Sequence, residues 1–202
     1  MFQPERGTQY EVGIKADIND QLSTTLAFYD LTRSNVLTPD NRPGVPPDQF
    51  EIQTGEQRSR GIELNVQGEI LPGWNILAGY AYTDARVTED NAIPSGNRLS
   101  SVPENAFSLW TSYEIQSGDL QGLGFGLGLF FVGEREGDLE NTFQFPSYLR
   151  TDAAIFYRRD QFRVGLNIRN LFDIDYFETS FGRLRVFPGE PFTVQGTISW
   201  QF

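Results

Sequence analysis

The chain of 202 residues contains no cysteine, no histidine and a single methionine. Without cysteine there are no disulfides and no thiolate metal centres; without histidine the commonest general base and metal ligand is missing. Hydrolases built around a histidine and most metalloenzyme designs are thereby excluded, so the chain is not expected to be an enzyme and no catalytic or metal-ligating residue is assigned. Basic residues are also scarce, 16 Lys and Arg against 27 Asp and Glu, for a net charge of -11. Phosphate contacts need clustered cations, so a nucleic-acid partner is not expected. Long apolar runs are absent too. A transmembrane helix needs about 18 apolar residues, and the longest apolar-plus-glycine stretch, 122–133, is shorter. The first residues, MFQPERGTQYEV, hold no basic segment leading into an apolar one. The expectation is that a leader has been removed or that the chain begins inside a longer protein.

What the chain does have is alternation. Tyr10, Val12, Ile14 and Ala16 interleave with Glu11, Gly13, Lys15 and Asp17, and Ile62, Leu64 and Val66 interleave with Glu63, Asn65 and Gln67. The same period of two recurs at 74–83, 162–169 and 192–202, and it signals strands with two unlike faces. Nine strands are expected, at 8–17, 21–36, 50–70, 73–88, 105–116, 122–134, 147–159, 161–171 and 191–202. Their connections alternate between short turns (INDQ, LPG, SGDLQ, RRDQ) and long segments near 37–49, 89–104, 135–146 and 172–190. An antiparallel up-and-down meander with tight turns at one end and long loops at the other is the layout of an outer-membrane barrel. Aromatics make up 14% of the chain; on outward faces they would leave an apolar surface that a soluble β-sandwich does not tolerate.

The stretch GLGFGLGLFF at 122–131 fits this reading. Leu123, Phe125, Leu127 and Leu129 face lipid, while Gly124, Gly126 and Gly128 face a lumen where something else comes close. Trp74, Tyr82, Tyr113, Tyr148, Trp200 and Phe202 are candidates for the interfacial aromatic girdles.

Nine is odd, so the first and last strands run the same way and cannot close by antiparallel pairing. An open sheet leaves backbone groups unsatisfied in hydrocarbon. The expectation is therefore that residues 1–202 are a partial barrel domain, with further strands upstream. The alternative is an autonomous small barrel, a pore or structural protein, with a hidden tenth strand in 1–7 or 37–49.

Six segments, in order, resemble one family: FQPERGTQYEVGIKAD (2–17), QTGEQRSRGIELNVQGEILPGWNILAGYAYTDARV (53–87), VPENAFSLWTSYEI (102–115), FVGEREGD (131–138), FPSYLRTDAAIFY (145–157) and NIRNLFDIDYF (167–177). Together they resemble the C-terminal part of TonB-dependent siderophore receptors of the hydroxamate or ferrichrome type. The resemblance implies the C-terminal segment of a 22-stranded transmembrane barrel, plugged by an N-terminal globular domain that this chain lacks. It implies a place in the outer membrane, a ferric siderophore as transported ligand with no covalent cofactor, and energy from the TonB complex acting through the missing region. Its implied partners are the plug of the same parent chain, outer-membrane lipid and lipopolysaccharide, and the barrel assembly machinery; alone, the segment would not transport.

The resemblance also implies an aromatic ligand contact ten residues beyond the Leu of the NLFD motif. Leu171 is that Leu, which makes Phe181 the match, with Phe187 a weaker candidate. The terminal TVQGTISWQF offers Trp200 and Phe202 as an assembly signal, a role a C-terminal Phe has in outer-membrane proteins generally. Glu134, Glu136, Asp138 and Glu140 form an acidic loop; such an oxygen-rich cluster can hold Ca2+ or bridge lipopolysaccharide through divalent ions, but the spacing is not that of an EF-hand and the loop reads first as a solvated surface. Glu63, Asn65, Gln67, Glu69, Arg163 and Arg169 are expected to line the lumen, against the plug or against water.

Overall fold

The computed structural model describes residues 2–46 and 50–201. Its dominant feature is one nine-stranded antiparallel sheet in which each strand pairs with the next. The chain runs β1 (Arg6–Asn19), β2 (Leu22–Pro39), β3 (Glu51–Leu71), β4 (Trp74–Glu89), β5 (Asn105–Glu114), β6 (Leu123–Val132), β7 (Arg135–Glu136), β8 (Gln144–Phe145), β9 (Tyr148–Arg159), β10 (Phe162–Arg169), β11 (Phe177–Ser180), β12 (Val186–Pro188) and β13 (Thr193–Trp200). Strands β7 with β8 and β11 with β12 form two small hairpins inside long connections; the other nine make the sheet in the order β1-β2-β3-β4-β5-β6-β9-β10-β13. All nine expected strands are present, with ends shifted by a few residues. The two hairpins were not expected, because their strands are too short to show a period. No helix among the described residues is long and apolar enough to cross a membrane.

Register sorts the side chains into two faces. One row reads Ile14, Leu26, Leu64, Tyr80, Phe107, Phe131, Leu149 across seven strands, and another reads Tyr113, Phe125, Ile155, Leu166. The adjacent row on the other side reads Lys15, Thr25, Asn65, Gly79, Ser108, Phe130, Arg150. The apolar face is open, with Ile14 69%, Phe125 49% and Ile198 74% exposed. Lipid tails solvate such a face, so it needs no second layer.

The apolar face stops along one line. On β3, Val66, Leu64 and Ile62 give way to Arg60, Arg58 and Glu56; on β4, Tyr80 and Tyr82 give way to Asp84 and Arg86. Tyr10, Asp30, Arg60 and Asp84 share the first row beyond Ile62. A barrel strand crosses hydrocarbon in about 9–11 residues, whereas β3 has 21, so β1 to β4 continue well past the membrane towards the long loops.

The glycines of β6 admit large rings from neighbouring strands. On the face opposite Leu127, the Trp110 indole lies over Gly126 and Gly128 and the Phe156 ring over Gly124. A Cβ on Gly126 would sit 2.7 Å from Trp110 Cζ2, and one on Gly124 2.2 Å from Phe156 Cζ. The close approach expected from sequence therefore comes from aromatics of the sheet itself, an aromatic cover over strand glycines.

β1 and β13 form the two edges. Every residue of β1 and seven of eight in β13 are exposed, and the two strands run in the same direction at opposite ends of the sheet. The nine strands thus form an arc of wall with two unpaired margins. No described residue between 2 and 7 or between 37 and 46 supplies a tenth strand that closes it.

Candidate functional site

The four long connections lie at one end of the sheet and are joined to each other by side chains. Asn91 Nδ2 donates to Thr38 Oγ1 at 2.9 Å and to Pro39 O at 3.0 Å, tying the 90–104 connection to the end of β2. The next link is reciprocal: Arg98 N donates to Asn141 Oδ1 at 2.8 Å, and Asn141 Nδ2 donates to Arg98 O at 2.9 Å. Ser101 then joins three segments. Its N–H donates to Glu136 O at 2.7 Å, and its hydroxyl accepts from Thr179 Oγ1 at 2.9 Å.

The last connection, 170–192, is clamped at its base by Asn170, which is fully buried. Its N–H donates to Asp152 Oδ1 at 2.9 Å, its amide donates to Ile174 O at 2.9 Å and Glu190 O at 3.0 Å, and its Oδ1 accepts from Ile174 N at 2.9 Å. At φ 50 its backbone is left-handed, which asparagine tolerates better than most residues. One side chain thus fixes both ends of a long loop. Tyr176 fills the space beneath, 4.3 Å from the Tyr148 ring, and its hydroxyl accepts from Glu190 N at 3.2 Å.

Arg135, on β7, is 4% exposed. Its guanidinium lies 5.3 Å from the Phe145 ring centre and 5.5 Å from that of Tyr148, and Nη2 donates to Phe177 O. Burial depresses the basicity of this group. Arg135 Nη1 and Glu136 Oε2 have no hydrogen-bond partner among the described residues. Ser180 Oγ donates to Gly137 O, so the β11–β12 hairpin is fastened to the β7–β8 segment at two points.

That hairpin carries an apolar tip. Phe181 and Phe187 meet edge to face at 5.9 Å and are 75% and 44% exposed; Leu184 is 99% exposed. Arg183 reaches back from the turn, donating through Nη2 to Thr142 O at 2.6 Å and lying 5.3 Å from the Phe143 ring centre. The tip is thus an exposed aromatic pair on a braced support, suited to the apolar surface of a ligand at small entropic cost.

Phe181 and Phe187 are therefore together. Trp200 lies on the apolar face, 6.0 Å from the Phe162 ring, while Phe202 lies outside the described residues. Trp74, Tyr82 and Tyr113 lie on the apolar face near its ends. Tyr148 does not: it pairs with Val132 on the opposite face and packs under the loops against Tyr176, since the face alternates and Leu149 is the outward residue. The structure does not gather the carboxylates of the acidic loop into one cluster. Glu136 is buried, Asp138 accepts from Thr142 N at 2.7 Å, and no group of three or more carboxylates among the described residues could hold a metal ion. Glu63, Asn65, Gln67, Glu69, Arg163 and Arg169 lie on the polar face; Arg169, the last residue of β10, also pairs with Glu190 at 3.2 Å. Asn170, Asp152, Ser101 and Arg135 were missed. For Asn170 the available signal was an asparagine closing an alternating strand before Leu-Phe-Asp, a left-handed turn residue.

The family model described as "TonB dependent receptor-like, beta-barrel" matches residues 1–171. The metal-pseudopaline receptor of Pseudomonas aeruginosa is 39% identical over 94% of this chain and 27% of its own length. The ferrichrome outer membrane transporter/phage receptor of Escherichia coli K12 is 35% identical over 100% of the chain and 27% of its own length. Among solved structures, the siderophore receptor PiuA from Acinetobacter baumannii superposes with a TM-score of 0.85 at 29% identity, over 99% of this chain and 29% of that one. The chain thus spans between a quarter and a third of the length of these relatives. With its wall-like sheet, lipid-facing belt and stitched loops, it belongs to the TonB-dependent receptor family of outer-membrane β-barrels.

Proposed function

We propose that this sheet is part of the barrel wall of a receptor that imports ferric siderophores or closely related metal chelates across the outer membrane. The receptor relatives named above handle ferrichrome and metal-pseudopaline, and a further relative is a ferrioxamine B receptor. The unpaired margins of β1 and β13 support additional strands from the same polypeptide, since hydrocarbon leaves no other partner for their backbone groups. The polar face carrying Glu63, Asn65, Gln67 and Arg163 is then the surface towards a plug domain. Transport energy comes from the TonB complex. Trp200 and Phe202 serve as the signal for the barrel assembly machinery.

The observation that carries the ligand site is the braced pair Phe181 and Phe187, aromatic, exposed and held by the Asn170 and Arg135 anchors. A rigid aromatic pair can grip the apolar part of a chelate. Binding of ferrichrome, ferrioxamine B and metal-pseudopaline to the receptor in outer-membrane preparations tests this. Phe181→Ala is expected to weaken the bound chelate about tenfold, the scale of one aromatic anchor. Unchanged affinity for every chelate that binds removes Phe181 from the site. Binding of none of them removes this group of cargoes.

A further inference from the structure

We propose that Arg135 is a positioning residue for the cargo: its buried guanidinium sets the aim of the Phe181 and Phe187 pair by holding a β-bulge in β11, and its charge is not needed for the stability of its own segment. The inference rests on the reading of that pair as the chelate contact.

Arg135 differs from the other arginines near the loops. Arg150 on β9 has Asp152 at 3.1 Å, Arg98 has Glu104 at 3.1 Å and Arg169 has Glu190 at 3.2 Å. Arg135 is more deeply buried than any of these, has no carboxylate partner among the described residues, and its Nη1 makes no hydrogen bond there. A buried charge without a counter-charge is unfavourable, and an apolar side chain of similar volume in its place is commonly neutral or stabilising. The Phe145 and Tyr148 rings, 5.3 and 5.5 Å away, offset only part of this. A methionine would fill the same space between them without it.

What an apolar side chain cannot do is grip β11. Phe177 pairs with Pro188 and Thr179 with Phe187, so Glu178 is an extra residue that faces no partner. Such a bulge bends its strand and turns the residues that follow. Those residues lead directly to Phe181, and Phe187 stands across from Thr179. Arg135 Nη2 donates to Phe177 O and, at 3.4 Å, to Glu178 O, the two carbonyls at the bulge. The hairpin's other ties, Ser180 Oγ to Gly137 O, Thr179 Oγ1 to Ser101 Oγ and the Phe177 ring 5.3 Å from that of Phe145, hold it down without engaging either carbonyl. The guanidinium therefore contributes direction.

The test uses the full receptor, with folding checked by heat-modifiable gel migration. In Arg135→Met, amide exchange across 177–187 is expected to quicken about tenfold, while exchange across 135–145 becomes no faster. A purely structural residue would loosen both segments. Affinity for whichever of ferrichrome, ferrioxamine B and metal-pseudopaline binds best is expected to fall about tenfold. Added to Phe181→Ala with Phe187→Ala, the same substitution is expected to weaken binding by less than about twofold more, because the residue acts through that pair. Deletion of Glu178, with Arg135 kept, erases the bulge and is expected to weaken the same chelate to a similar degree. Unaltered hairpin exchange, quicker exchange across 135–145, unchanged affinity in either variant, or full additivity with the aromatic substitutions each overturns the proposal. Binding of none of the three chelates by the unaltered receptor instead removes the cargo reading, and the exchange result alone then decides whether Arg135 aims the hairpin.

Discussion

The lipid-facing belt and the loop cluster above it are built on opposite rules. In the belt the large apolar side chains are the exposed ones, and what lies between strands is backbone pairing; Ile14, Leu127 and Ile198 have no protein layer to pack against. In the loops and the strand residues they rest on, the buried residues are largely polar or charged: Thr38, Arg135, Glu136, Asp152, Asn170 and Ser180. Lipid supplies the belt's missing core, so tolerance there depends on which face a residue takes. Loops in water have no lipid and little apolar area, so they hold shape through hydrogen bonds made by a few buried polar side chains, Asn170 above all.

The largest expected effect comes from backbone geometry at a short turn. Gly122 has φ +87, and a Cβ there would sit 1.9 Å from Arg158 O. Gly122→Ala is expected to cost about 3 kcal/mol or more through strain and clash together, read as a lower urea midpoint of the folded barrel in detergent. Next is the face rule. Leu127→Arg on the apolar face should cost about 2–4 kcal/mol, while Gln67→Arg on the polar face should stay within about 0.5 kcal/mol. Equal penalties would dissolve the distinction between the faces.

Asn170→Ala removes the clamp and leaves the Ile174 and Glu190 backbone groups without it. The expected loss is about 2–3 kcal/mol, confined to the loops. Amide exchange should quicken across 171–190 while β9 and β10 stay protected. The smallest effect is on acidification. Arg42 holds the Asp40 carboxyl below its ordinary value, and Arg98 does the same for Glu104. A depressed folded pKa contributes stability that is complete above the ordinary carboxylate range and is lost as pH falls through the folded value. Below about pH 4 the segments around 40 and 104 should therefore exchange faster, corrected for the intrinsic rate, with the belt unchanged.

This contrast also explains what could be read from the residues. The nine long strands were legible because lipid and lumen impose a strict period of two on side chains such as Ile62, Glu63, Leu64 and Asn65. The ligand-facing candidate Phe181 came from resemblance, and its neighbours did not follow. Asn170 and Arg135 act across 20 to 43 positions, through Glu190 O and Glu178 O, and no local pattern encodes such a bond. Tyr148 was misassigned for a related reason: an aromatic near a strand end suits either face, and only the register with Val132 decides.

The most direct test of the two-faced wall uses the absence of cysteine. Single cysteines placed in turn at 58, 60 and 62 to 67 on β3, in the otherwise thiol-free chain, are spin-labelled and their collision rates with oxygen and with a water-soluble nickel chelate compared in native outer membranes. The account predicts oxygen-dominated collisions at 62, 64 and 66, chelate-dominated collisions at 63, 65 and 67, and a switch to chelate at 60 and 58 on the same face as 62. A uniform profile along 62 to 67, or lipid exposure continuing through 58, would contradict it.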